Sequence, residues 1–103
     1  MTILVLSCAE QEFAEAVDYD NGQCPGLGYE FAADVQKTLA RIGAFPEAWP
    51  SLSRRARRCL VDRFPYGVVY QVRQDCILIG GVMHLRRDPK RWQDRLRTAF
   101  DEP

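Results

Sequence analysis

The feature that most constrains the fold is an apolar stretch at residues 76–85. This stretch is rich in branched side chains and contains no Asp, Glu, Lys or Arg. Such a run, preceded by the turn residues Gln74-Asp75, predicts a long strand in the centre of a sheet. The pair Gly80-Gly81 within it predicts a bulge or a close approach of another backbone.

Three shorter runs predict the other strands of this sheet. Residues 3–6, with the sequence ILVL, are apolar and branched, and they predict a buried strand. Residues 59–64 and 68–72 predict two more strands, which are separated by the turn residues Pro65-Tyr66-Gly67. These segments are sufficient for a small sheet.

Two helices are predicted between the first and second strands. Ser7 and Glu10 have the spacing of a capping box, so the first helix is expected over residues 8–19 and to end at Asp20-Asn21-Gly22. The second helix is expected to open at Pro25-Gly26 and to stop at Gly43. Apolar residues recur there every three or four positions, which predicts a buried stripe of Leu27, Phe31, Val35, Leu39 and Ile42.

A last helix is expected to begin at Asp88-Pro89, with Trp92 and Leu96 on its inner face. The order β-α-α-β-β-β-(α) predicts one α+β domain over residues 1–103, in which an N-terminal helical hairpin packs on a small, twisted, mainly antiparallel sheet. No apolar run approaches the roughly 20 residues that cross a bilayer, and residues 1–6 are too short for a signal-peptide core. We therefore expect a cytoplasmic protein that does not enter a membrane.

The charged residues are unevenly distributed, although the formal net charge is zero. Residues 1–50 contain eight acidic and two basic side chains, whereas residues 51–103 contain twelve basic and six acidic ones. Two interpretations stay open: a basic face for nucleic acid or an acidic protein, or two halves that pair with each other. The four cysteines lack metal-binding spacing and are expected to be reduced, packed thiols, so no metal or other cofactor is expected.

Several short motifs, taken in order, resemble toxins of the RelE/ParE family of type II toxin–antitoxin systems. They look most like the ParE-type, plasmid-stabilisation branch. The motifs extend over nearly the whole chain and are Pro25-Gly26-Leu27-Gly28, Phe45-Pro46-Glu47-Ala48-Trp49-Pro50, Arg63-Phe64-Pro65-Tyr66-Gly67-Val68-Val69-Tyr70, His84-Leu85-Arg86-Arg87-Asp88-Pro89 and Trp92. The resemblance implies a small sheet curled against a helical hairpin, growth inhibition by the chain, and an antitoxin whose tail wraps it.

The resemblance implies one of two activities, which are cleavage of messenger RNA in the ribosome and poisoning of DNA gyrase without catalysis by the toxin. RNA cleavage by a 2′-hydroxyl needs a base, a cation for the phosphorane charge and an acid for the leaving oxygen. If the chain is a nuclease, the candidate catalytic residues are His84, Arg63, Arg86 and Tyr66, with Tyr70 and Arg87 as further candidates.

The same residues also have structural interpretations. A lone histidine at a strand end is more often hydrogen-bonded within the fold than catalytic, and Arg63 suits bonding to nearby carboxylates or to an antitoxin. Ribosome-acting members are usually strongly basic because their target is rich in phosphate. This chain is neutral, with Lys37 and Lys90 as its lysines. These departures favour inhibition by binding over RNA cleavage.

A second set of residues is predicted to contact the target or the antitoxin, namely Arg54, Arg55, Arg57, Arg58, Arg87 and Trp92. Arginines would select acidic side chains or phosphates, although residues 54–58 also suit a solvated sheet edge protected from aggregation. Trp92 also suits a core or lid. An apolar groove, bordered by Val68, Tyr70, Ile77 and Ile79 or by the set facing the other way, is expected to receive a strand or helix of the antitoxin.

The favoured prediction is a ParE-like toxin that inhibits DNA gyrase by binding and is neutralised by a cognate antitoxin. The alternatives are a ribosome-dependent mRNA endonuclease and a degenerate relic that binds an antitoxin but poisons nothing. Whether the chain is an enzyme depends on this choice. Its partners would be the antitoxin and either gyrase or the ribosome with its mRNA, and both a homodimer and a toxin–antitoxin hetero-oligomer stay open.

Overall fold

A computed structural model describes residues 1–86 and 89–100. The elements are β1 (Thr2–Val5), α1 (Ser7–Gln23), α2 (Leu27–Ala44), β2 (Arg57–Leu60), β3 (Tyr66–Val72), β4 (Cys76–His84) and α3 (Pro89–Phe100). The strands form one sheet in the order β1-β4-β3-β2, in which β1 is parallel to β4 and the other neighbours are antiparallel. The predicted α+β architecture with a mainly antiparallel sheet is therefore confirmed.

Strand β4 is central, as its apolar sequence predicts, and its residues 77–83 are all buried. Successive side chains of a strand point to opposite faces. Ile77 and Ile79 pack in the core under the helical hairpin, whereas Leu78 and Met83 pack in a second cluster with Trp92 and other residues of α3. The α1–α2 hairpin thus covers one face of the sheet, and α3 covers the other.

The register between β3 and β4 shifts at Gly80. Val69 lies opposite Gly81 and Tyr70 lies opposite Ile79, so Gly80 is the extra residue of a bulge. A Cβ atom at Gly80 would lie 2.4 Å from Cζ of Phe100. The predicted bulge is confirmed, and the close approach comes from an aromatic ring rather than from a backbone.

The apolar stripe of α2 forms much of the core beneath the hairpin. Phe31, Val35 and Ile42 are buried, and Leu27 and Leu39 are half-buried. The ring of Phe31 contacts three further aromatic rings, those of Phe13, Phe64 and Tyr66. The stripe predicted from the three-and-four spacing is confirmed.

The prediction of a buried first strand is wrong. β1 lies at the edge of the sheet, where the side chains of Leu4 and Val5 are 49% and 38% exposed. The predicted capping box is also wrong, because α1 already begins at Ser7 and its N-cap, Leu6, makes no side-chain hydrogen bond. The Leu6 amide instead continues the ladder to Ile79, while its carbonyl accepts from Glu10, so the helix begins where the strand ends.

Several predicted boundaries are also wrong. Helix α1 continues to Gln23 rather than ending at residues 20–22, because the Asn21 side chain accepts a hydrogen bond from the Gly28 amide at 2.8 Å and so serves the start of α2. Strand β3 begins at Tyr66 rather than Val68, so Tyr66 and Gly67 belong to a strand and not to the predicted turn. Strand β2 begins two residues earlier than predicted, at Arg57, and ends at Leu60 rather than at residue 64. Its two leading arginines hid the strand from a search for apolar runs.

Beyond Ile79, the outer edge of β4 is capped by two side chains. Glu12 of α1 accepts a hydrogen bond from the Val82 amide at 3.2 Å, and Arg95 of α3 donates to the Gly80 carbonyl at 2.9 Å. The two side chains also form a bidentate ion pair with distances of 2.7 and 3.0 Å, and they are only 13% and 20% exposed. This pair joins the hairpin to α3 around the edge of the sheet.

In the part of the chain that the structure describes, no helix combines the length and the apolarity needed to cross a membrane. The four cysteines are free thiols.

Replacing Arg95 tests the ion pair that caps β4. We expect Arg95→Met to lower the free energy of unfolding by about 2–4 kcal/mol, since it leaves the half-buried Glu12 carboxylate without its cation. Urea unfolding measures the change. The control is Arg97→Met on the exposed side of α3, which should cost no more than about 0.5 kcal/mol. Equal losses in both variants would contradict this role.

Candidate functional site

Three of the predicted catalytic residues meet at one end of the sheet. Tyr66, His84 and Arg86 line a cleft of about 480 Å³ together with side chains of α1. Tyr66 and His84 are partners across β3 and β4, and their rings meet edge to face with centroids 5.1 Å apart. The structure therefore brings these three residues together, and we call this the histidine cleft.

The imidazole of His84 is held by its own strand end. Its Nδ1 accepts a hydrogen bond from the Arg86 amide at 3.1 Å. A neutral imidazole has one acceptor nitrogen, so this bond occupies the lone pair that a general base would use. In this arrangement His84 is a donor or a positioned ring rather than a base.

Acidic groups surround the histidine cleft. Glu12 and Glu15 line it, and Arg86 supplies the one guanidinium group among its described lining residues. A third carboxyl group, that of Asp20, lies near His84. Burial raises the pKa of Asp20, and the charge of His84 partly opposes that rise. Because the Glu12 carboxylate is already paired with Arg95, Glu15 and Arg86 are the other charged side chains in the described lining, so the cleft lacks the excess of positive charge that favours an RNA backbone.

Arg63 does not line this cleft. It lies in the turn between β2 and β3 with a φ of 66°, a conformation that costs a non-glycine residue of the order of 1 kcal/mol. Its Nε donates to Oδ2 of the buried Asp34 at 3.0 Å, and its guanidinium lies 3.9 Å from Glu30. The hydrogen bond from Arg63 lowers the pKa of Asp34. Arg63 is thus held against α2 by carboxylates, as its structural interpretation expects.

Tyr70 is committed to the fold as well. Its side chain is fully buried, and its hydroxyl donates to the Pro46 carbonyl at 2.5 Å. Burial raises the pKa of Tyr70 to about 12. The bond ties the connector after α2 to the sheet and leaves this hydroxyl unsuited to proton transfer near neutral pH.

The predicted binding residues divide into two groups. Arg54 and Arg55 are exposed, while Arg57 donates to the Trp49 carbonyl at 2.7 Å. These three arginines line a groove of about 660 Å³ together with Arg73, which sequence reasoning missed because it stands alone at the end of β3. We call this the basic groove.

Trp92 and Arg58 lie apart from the basic groove. Trp92 is buried in the cluster under α3, and the guanidinium of Arg58 lies over its ring, 5.4 Å from the centroid. Arg87 lies outside the described residues.

Neither predicted set of apolar strand residues borders an open groove as a set, although Ile79 lines a small hollow beside β1. Val68, Tyr70, Ile77 and Ile79 are buried beneath the hairpin, and the set facing the other way is covered by α3. Short windows of sequence do not determine where α3 packs on the sheet, so this face was predicted to be open.

The apolar surface that stays open lies at β1. Leu4 and Val5 are exposed, and Val5 lines a hollow of about 200 Å³ that α1 and α2 form with the sheet; we call the exposed β1 strand together with this hollow the β1 surface. The hollow is lined by Val5, Ala9, Glu10, Phe13, Val35, Gln36, Leu39, Ile79 and Val82. An edge strand with exposed apolar side chains can pair with another chain.

The two edges of the sheet differ in how they are protected. Along the outer side of β2, the Pro50 carbonyl accepts from the Arg58 amide at 3.1 Å, and Arg41 donates to the Leu60 carbonyl at 3.2 Å. No described residue pairs with the outer side of β1. The β1 edge is therefore the one on which a further strand can add.

Within residues 1–86 and 89–100, no three His, Cys, Asp or Glu side chains come together as metal ligands would.

Solved structures share this fold, and one of them does so at low sequence identity. A chain of the "Chromosomal ParDE TA system from P. aeruginosa" superposes on this chain with a TM-score of 0.68 and 14% identity, covering 84% of this chain and 97% of that one. No protein-family model and no curated protein matches the sequence. The likeness confirms the fold that the ordered motifs imply.

The bond between Asp34 and Arg63 predicts a pH dependence of stability. Because the folded-state pKa of Asp34 is lowered, its contribution is complete above the unfolded value of about 3.9 and is lost as the pH falls through the folded value. We expect Asp34→Asn to be less stable than wild type at pH 7, with the difference shrinking below about pH 4. Urea unfolding across this range measures it.

The matched control is Asp75→Asn in the exposed turn between β3 and β4. A difference between Asp34→Asn and wild type that stays constant down to pH 2, or a control that behaves in the same way, would show that the bond does not have this role.

Proposed function

We propose that the chain is the toxin component of a type II toxin–antitoxin module and that it inhibits DNA gyrase by binding. Two observations support the toxin assignment: the ordered motifs along the sequence and the shared fold with a chain of a ParDE system. The observation that supports the mechanism is that Arg63, Tyr70 and His84 each make a hydrogen bond within the fold through an atom that catalysis would use.

Among the described residues, the candidate base and acid of RNA cleavage are bonded or packed within the fold. The base would be His84, whose acceptor nitrogen is occupied by the Arg86 amide. Of the candidate cations, Arg63 is bound to Asp34 outside the cleft lining, and Arg86 lines the cleft. The acid would be Tyr66, which packs in the aromatic cluster around Phe31. Inhibition by binding requires none of these groups to be catalytic.

The cognate antitoxin would dock on the β1 surface. Backbone amides and carbonyls on the outer side of β1 would accept an added strand, and Leu4, Val5 and the adjoining hollow would accept its apolar side chains. A sheet edge supplies affinity through main-chain hydrogen bonds, and the pockets beside it supply specificity. The resulting complex would be a toxin–antitoxin hetero-oligomer in the cytoplasm, where gyrase and its DNA lie.

Expression of the chain in a bacterial host tests the mechanism. We expect induced wild-type chain and His84→Ala to arrest growth equally, with a DNA-damage response and intact messenger RNA, because His84 has no catalytic role. Northern blots and a damage-responsive reporter measure the two responses. Rapid mRNA cleavage that His84→Ala abolishes would establish the endonuclease instead, and the absence of any growth effect would favour the antitoxin-binding relic.

Charge placed on β1 tests the docking surface. We expect Leu4→Arg to remain toxic but to lose neutralisation, with antitoxin affinity reduced roughly 100-fold, since a buried apolar anchor becomes a cation. Co-expression rescue and calorimetric titration with the protein encoded beside the toxin measure this. Leu60→Arg is the control, because Leu60 is equally exposed, at 50%, on the opposite edge strand. Rescue that is unchanged in Leu4→Arg would exclude β1 as the docking edge.

A further inference from the structure

The basic groove is not used by the proposed antitoxin contact. It lies along β2 and the end of β3, whereas β1 is the opposite edge of the sheet. Four arginines line it, and its described lining holds one acidic side chain to oppose them, that of Glu47. The four arginines are Arg54, Arg55, Arg57 and Arg73. A concave surface with this excess of one charge focuses the field on an incoming anion.

Arg57 and Arg73 are oriented by bonds within the fold. Arg57 donates from Nη1 to the Trp49 carbonyl at 2.7 Å, and Arg73 donates from Nε to Oε1 of the buried Gln71 at 2.7 Å. A guanidinium has five N–H donors. Each bond therefore fixes the plane of the side chain and keeps further donors for a ligand, which reduces the entropy lost on binding.

The groove has a polar rim and an apolar floor. Arg54 and Arg55 are exposed at the rim, and Ser51 and Gln74 add hydrogen-bonding groups. The floor includes Ala56, Val72 and the edge of Phe100. The Phe100 side chain is 1% exposed, so its ring face is not available for stacking.

This composition distinguishes between two anionic ligands. Single-stranded nucleic acid binds through basic grooves that also present aromatic faces to the bases, and the described lining of this groove presents none. A DNA duplex is too wide to enter a hollow of this size and would reach only the rim. Carboxylates, by contrast, form bidentate pairs with oriented guanidinium groups, and a small apolar side chain can pack on the floor.

We propose that the basic groove binds an acidic segment of a partner protein. Carboxylates of the segment pair with the four arginines, and an apolar residue between them contacts the partly exposed Val72. The groove is separate from the β1 surface, so it stays open when a partner occupies β1. The proposal does not depend on the chain being a toxin, since it follows from the charge and shape of the groove alone.

Fluorescence anisotropy with labelled probes tests this proposal on the purified full chain. The probe is a short peptide of alternating aspartate and leucine, and its matched control carries asparagine in place of aspartate. A labelled single-stranded DNA of similar charge is the third ligand. We expect the acidic peptide to bind at least about tenfold more tightly than the asparagine peptide and the DNA, with binding that weakens as salt rises.

Matched variants then locate the binding. Arg54→Gln with Arg55→Gln should weaken the acidic peptide about tenfold, since two exposed guanidinium groups are lost without disturbing the core. Arg91→Gln with Arg97→Gln removes the same charge from α3 outside the groove and should change binding less than about twofold. Circular dichroism and thermal unfolding confirm that both proteins fold.

Three results would overturn the proposal. They are the lack of any preference for the aspartate peptide, an equal loss in the two double variants, and tighter binding of the DNA through the same arginines. None of these results bears on gyrase inhibition or on neutralisation, which are measured separately in cells. The two proposals therefore fail independently.

Discussion

The ion pair between Glu12 and Arg95 joins helix α1 on one face of the sheet to helix α3 on the other. The rest of the structure depends on this connection. β1 pairs with β4 only as far as Ile79, so the outer edge of β4 beyond that point needs other partners. Glu12 accepts from the Val82 amide and Arg95 donates to the Gly80 carbonyl, while the two side chains bind each other. A helix from each face of the sheet is thereby joined at one edge, and the bulge at Gly80 makes room for Phe100 beneath α3.

The arrangement of these layers determines which surfaces of the protein can bind other molecules. With the hairpin on one face of the sheet and α3 on the other, the apolar strand residues are buried on both faces and the binding surfaces move to the edges and ends. β1 presents an open strand with apolar side chains, β2 is covered by its preceding loop and carries the basic groove, and the end of β3 and β4 carries the histidine cleft. An inhibitor that works by binding needs such separate surfaces more than it needs an assembled catalytic centre.

Local patterns predicted the parts of this fold that local forces determine. The apolar run of β4, the stripe on α2 and the bulge at Gly80-Gly81 are all visible in short windows of sequence and are confirmed. Long-range contacts were not predictable in this way: Glu12 and Arg95 are 83 positions apart, and Arg63 and Asp34 are 29 apart. The histidine cleft was predicted in part, since the strand ends of Tyr66 and His84 were recognised, but the acidic lining from α1 depends on how the hairpin crosses the sheet.

The central claim is that the chain inhibits gyrase by binding and without chemistry at His84. The most direct measurement is a supercoiling and DNA-cleavage assay with purified gyrase, using purified wild-type chain and His84→Ala side by side. The account predicts that both proteins block supercoiling to the same extent, and that prior addition of the antitoxin prevents the block. Gyrase that stays fully active with either protein, while the wild-type chain cleaves mRNA on purified ribosomes, would contradict it.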